Sequence, residues 1–95
     1  MEFEVTITLA GDRHDPDLGE ALLQGFLPAS PGSDVVVHQD ATDCTARVWL
    51  LLSADDAASA GQTAIATLRG IETSHPLVPT ALHVAAAAQH APRAA

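Results

Sequence analysis

The sequence has no lysine and no tyrosine, and four arginines are its whole complement of strong bases. Arg13, Arg47, Arg69 and Arg93 are scattered, so they form no basic stripe to neutralise phosphates or meet an anionic lipid surface. Neither nucleic acid nor membrane is expected as a partner. A single cysteine, Cys44, rules out an intramolecular disulfide, and nothing here requires an oxidising compartment. No apolar run approaches the roughly 20 residues that span a bilayer. The opening residues, with Glu2 and Glu4, lack the basic and apolar regions of a secretory signal. A cytoplasmic protein is the expectation. Two phenylalanines and one tryptophan are the only aromatics, which leaves valine, isoleucine and leucine to fill a core.

What is present is acid. Twelve aspartates and glutamates give a net charge of −8, which favours solubility. Ninety-five residues make one domain, and a chain this size buries roughly 60–70% of the surface its unfolded form exposes. Much of the 47% hydrophobic fraction is alanine, so the core is modest and self-association would add buried area.

Phe3, Val5, Ile7 and Leu9 alternate with Glu2, Glu4, Thr6 and Thr8, the period-2 pattern of a strand with one buried face. Asp15-Pro16-Asp17 then forms a helix start, with Asp15 as cap and Pro16 in the first turn. Leu18, Leu22 and Phe26 give that helix its buried stripe. Gly19 and Gly25 weaken it, or allow close packing on the sheet, and Pro28 and Pro31-Gly32 end it. Val35 to Gln39 is a short strand, Asp40 to Asp43 a turn, and Cys44 to Ser53 a long strand paired with the short one as a hairpin. Ser53-Ala54-Asp55-Asp56 opens a second helix whose apolar face is Ala58, Gly61, Ile65 and Leu68, with Gly70 as its stop. Thr80 to Ala87 is a last strand or an alanine-rich helix. The strand is preferred, because Pro79 precedes it and Leu82, Val84 and Ala86 alternate with Ala81, His83 and Ala85. Residues 1–87 then form one domain and 88–95 a flexible C-terminal tail.

The order βαββαβ resembles the ferredoxin-like split βαβ architecture: an α+β fold with a four-stranded antiparallel sheet and two helices on one face. The resemblance implies that the first and third strands are central neighbours. Their apolar sets would then meet Leu22, Phe26, Ile65 and Leu68. The opposite face would carry Glu4, Thr6 and Thr8 beside Arg47, Trp49 and Leu51, with His83 and either His38 or Val37 at the flanks. Glu4 and Arg47 could pair across the strands, an exposed pair contributing at most about 1 kcal/mol.

A face that meets water yet carries Trp49 and Leu51 calls for a cover. The chain is similar in size and element order to the dimeric α/β-barrel group, which includes cofactor-free monooxygenases and haem-degrading proteins that pair sheet to sheet. No motif places Trp49, His83 and a polar partner in that group's pattern, so no catalytic role is carried over. Two functions follow as expectations. The first is a small acidic interaction module that forms a homodimer or binds a protein partner through Glu4, Thr6, His38, Arg47, Trp49, Leu51 and His83. The alternative is a cofactor-free enzyme or small-ligand binder with a cleft at the same face.

The remaining chemistry is sparse. Asp12, His14, Asp15 and Asp17 are the densest group of ligand types, but they do not follow the calcium-loop pattern, and the aspartates have a structural use at a helix start. His14, His38, His75, His83 and His90 show no zinc spacing. Cys44 has no basic neighbour in sequence to activate it. No GxSxG elbow occurs, and the six glycines are isolated, outside both the dinucleotide and P-loop patterns. No metal or cofactor is expected.

Overall fold

A computed structural model of the chain describes residues 1–11, 17–30, 35–40, 42, 44–71 and 77–87. Its elements are β1 (Glu2–Gly11), α1 (Leu18–Phe26), a 3-10 turn (Leu27–Ala29), β2 (Val35–Asp40), β3 (Thr45–Ser53), α2 (Ala57–Arg69) and β4 (Leu77–Ala86). The strands form one four-stranded sheet in the order β2-β3-β1-β4, and every neighbouring pair is antiparallel. This is an α+β fold in βαββαβ order. None of the described helices is long and apolar enough to cross a membrane.

Alternation decides the core. Phe3, Val5, Ile7 and Leu9 of β1 are buried opposite Leu52, Leu50, Val48 and Ala46 of β3. Leu18, Leu22 and Phe26 of α1 join the same buried cluster, as do Ala60 and Ala64 of α2. Backbone bonds tie down both ends of β1: Ala54 N–H donates to Met1 C=O at 2.9 Å, Ala87 N–H to Glu2 C=O at 3.0 Å, and Gly11 N–H to Cys44 C=O at 2.9 Å.

The termini of α1 differ in part from expectation. Asp15 and Pro16 lie outside the described residues, and Asp17 is the N-cap, its carbonyl accepting from Ala21 N–H at 3.1 Å. The helix stops at Phe26 as the prolines predict, passing into the 3-10 turn that contains Pro28. Ser30, buried just beyond, donates its hydroxyl to Leu51 C=O and so fixes the chain leaving α1 to the far end of β3.

In α2 the expected apolar face is rotated. Ala60, Gly61 and Ala64 are buried, Ile65 and Leu68 are half-buried, and Ala58 is exposed. The inward positions are small, and small side chains let a helix axis lie close to its neighbours. The sequence pattern follows the larger Ile65 and Leu68 and so points about one residue away. Asp56 caps α2, accepting from Ser59 N–H at 2.8 Å. Gly70 follows as C-cap and stops the helix as expected, at a right-handed φ of −82°.

β4 is a strand, but it starts at Leu77, before Pro79, instead of at Thr80. Proline is tolerated there because β4 is an edge strand and needs no partner on its outer side. The pairing shifts at this point: Thr8 faces Ala81 while Leu9 faces Pro79, leaving Thr80 as the extra residue of a bulge. The Thr80 hydroxyl donates to Thr8 C=O at 3.3 Å.

Gly25 is a packing requirement between α1 and the chain leaving α2, not between α1 and the sheet. A Cβ there would collide with Cδ1 and Cγ1 of Ile71. Alanine would gain up to about 1 kcal/mol of helix propensity, against about 1–3 kcal/mol for overpacking. Gly25→Ala is therefore expected to lower the melting temperature by circular dichroism, and the loss should vanish in an Ile71→Ala background. Asp56 gives a second test. Its hydrogen bonds from Ser59 hold its carboxyl below the ordinary 3.8. A carboxylate whose folded pKa is depressed adds stability above the ordinary value and loses it as pH falls through the folded one. Asp56→Ala should melt lower than the parent at pH 7, with the gap closing as pH falls below 3.8.

Candidate functional site

The face of the sheet away from the helices is set by register. One row runs Val36, Trp49, Thr6, His83 across all four strands. The next, one pleat along, runs His38, Arg47, Thr8, Ala81, and on the other side of Trp49 lie Leu51, Glu4 and Ala85. Glu4, Thr6, His38, Arg47, Trp49, Leu51 and His83 thus all occupy one face, and those on β1 and β3 alternate with buried residues along their strands.

Within that face they are not equally close. His83 shares a row with Trp49 but lies two strands away, with Thr6 between them. His38 sits beside Arg47 on the opposite flank. Glu4 and Arg47 are not cross-strand neighbours, because Glu4 faces Leu51 and Arg47 faces Thr8. The four-residue offset is about 13 Å along the strand. Trp49 and Leu51 are half-buried within the single chain, while His38, Arg47 and His83 are exposed.

Val36 was not among the expected residues and belongs at the centre. It stands directly opposite Trp49 and is 53% exposed. Val37, offered as an alternative to His38, points to the core side instead. Three consecutive valines hide the alternation in β2, and only the parity with His38 could have selected Val36. Val36, Trp49 and Leu51 together make an apolar centre, and Glu4, His38, Asp40, Arg47 and Thr45 lie around it.

Among the described residues, polar side chains converge at one margin, where Thr8, His38, Asp40, Thr45 and Arg47 line an open depression of about 220 Å³. Trp49 and His83 do not line it. Among the described residues, no three histidine, cysteine, aspartate or glutamate side chains are grouped to hold a metal. Asp12, His14, Asp15, His75 and His90 lie outside the described residues.

Cys44 is placed by the hairpin turn. It has φ 54°, a left-handed angle that disfavours a side chain, and β3 begins one residue later than expected because of it. The turn is closed by Asp40, whose carboxylate accepts from Thr42 N–H at 2.9 Å. No family model matches the chain, and no curated protein or solved structure matches it.

If the position of Cys44 is structural, glycine should suit it better. Cys44→Gly is expected to hold or raise stability by up to about 1 kcal/mol, and Cys44→Val to lower it. Thermal melts of both variants check this, and a destabilised glycine variant would assign the thiol another role.

Proposed function

We propose that the chain is a small ferredoxin-like interaction module of the cytoplasm that self-associates through the Trp49 face. The strand order supports the fold reading: taken from the other edge it is β4-β1-β3-β2, all antiparallel, the order of a split βαβ sheet. The observation that carries the function is the apolar centre of Val36, Trp49 and Leu51 inside a polar margin, the anatomy of a contact surface.

Charge favours a second copy as the cover. Arg47 lies two residues from Trp49 in one direction, and Glu4, facing Leu51, lies level with the residue two further in the other. A two-fold axis parallel to the sheet, crossing the strands at Trp49, brings Arg47 of each copy over Leu51 of its partner, one strand away from the partner's Glu4. Such a surface is self-complementary. Fully covering each large apolar side chain contributes roughly 1.5–3 kcal/mol. A different protein offering an apolar centre and a basic margin would meet the same face.

The enzyme or ligand-binding alternative draws on the depression beside His38, Asp40 and Arg47. Catalysis needs convergent polar groups in an enclosed cleft. Here the depression is open and the indole stands outside it, so the module reading is the stronger.

Trp49 is the sole tryptophan and tyrosine is absent, so its emission reports this face alone. Iodide quenching of Trp49 should weaken as protein concentration rises, and Leu51→Glu should abolish that protection. Quenching equal in the parent and in Leu51→Glu at every concentration would refute self-association through this face.

A further inference from the structure

β4 offers a second surface, at right angles to the Trp49 face. It is an edge strand whose only neighbour is β1. Because Ala87 donates its N–H to Glu2 on β1, alternation turns the backbone groups of Leu82, Val84 and Ala86 outward. Pro79 and the bulge at Thr80 protect the first part of the edge, but no charge or proline guards residues 81–86.

Beside this edge the helix layer is incomplete. An open, largely apolar groove of about 510 Å³ runs between α2 and β4, lined by Ala57, Gly61, Ile65, Leu82 and Val84 among others. Leu82 is 44% exposed although it is on the core side of the strand. Gly61 is already close, since a Cβ there would stand 3.2 Å from Leu82, so α2 cannot close the gap by bringing a larger side chain to that position.

We propose that a second copy of the chain adds to this edge, β4 against β4, to make one eight-stranded antiparallel sheet. Direction and facing are fixed together. Leu82, Val84 and Ala86 have both outward backbone groups and core-side side chains, so regular antiparallel pairing can join only members of that set. Pairing Val84 with Val84 of the partner, and Leu82 with its Ala86, satisfies all three residues on each chain. Both α2 helices then lie on the same side of the joined sheet, and the two grooves meet over the seam.

Charge selects the second copy as occupant. None of the twelve acids lies in α2 or β4, whose single formal charge is Arg69. Two chains of −8 repel on most approaches, and this side presents no acid of its own from either element. The opposite edge of the sheet, β2, ends in Asp40, and the groove beside it is lined by Glu20. The edge proposal does not rest on the Trp49 reading.

Native mass spectrometry and sedimentation of the full chain test it, with two variants of the edge and one of the face. Leu82→Lys places a cation on the seam. Leu82→Pro removes one outward N–H while leaving the bonds to β1. Each should carry half the parent's assembly mass with an unchanged circular dichroism spectrum, whereas Leu51→Glu should still form a dimer. A parent that is monomeric at every concentration tested, or edge variants that keep the parent's mass, would overturn the proposal. Failure of the Trp49 reading is separate: it shows in iodide quenching, which the edge variants leave unaltered.

Discussion

The register between β1 and β3 is the constraint on which the rest of the molecule depends. Nine residue pairs run from Glu2 opposite Ser53 to Ala10 opposite Thr45. That ladder puts four apolar side chains from each strand on the same side. A slip of one residue would turn Phe3, Val5, Ile7 and Leu9 to face Trp49 and its set instead, so burial of eight core positions enforces the pairing. β2 and β4 then inherit their facing from β3 and β1. The composition of the open face is thus settled by the interior: Trp49 is outside because Val48 and Leu50 are inside.

The second constraint is the size of the residues in α2. With alanine and glycine directed at the sheet, the helix contributes proximity rather than volume. Burial of Ala60 and Ala64 supplies less apolar area than the leucines and phenylalanine of α1. The two helices are consequently unequal covers. The β2–β3 side lies beneath Leu18, Leu22 and Phe26, while β4, beneath α2, keeps Leu82 in partial contact with water. The groove along that side follows from an alanine-rich helix lying over a ten-residue edge strand.

The strands were legible in the sequence to within two or three residues because strict alternation is a strong signal and both central strands show it. The facing of Glu4, Arg47, Trp49 and His83 was legible for the same reason. Alternation failed where neighbours were alike, so Val35-Val36-Val37 concealed Val36 beside Trp49. Helix periodicity failed in α2 because alanine is ambiguous between core and surface, and the rarer Ile65 and Leu68 drew the expected face towards themselves. The start of β4 was hidden by Pro79, which reads as a breaker until the strand is known to lie at an edge. Where Cys44 would sit was not legible either, since a left-handed angle at a residue other than glycine leaves no composition signal.

Charge distribution links these elements to assembly. Glu2 and Glu4 on β1 and Asp40 at the end of β2 are not among the residues that line the groove beside β4, whose one charged lining residue is Arg69. An acidic chain is held apart from its copies by long-range repulsion, and contact is least opposed where the local surface is neutral and apolar. On the Trp49 face the same condition is met differently, by setting Arg47 and Glu4 on opposite sides of the indole. The lack of acids in α2 and β4, with Arg69 as their one charge, and paired opposite charges on the face are two solutions to one electrostatic problem. Because the sheet sets the two surfaces at right angles, contact at one leaves the other open. A chain with so small an interior can gain buried apolar area at either without rearranging its core.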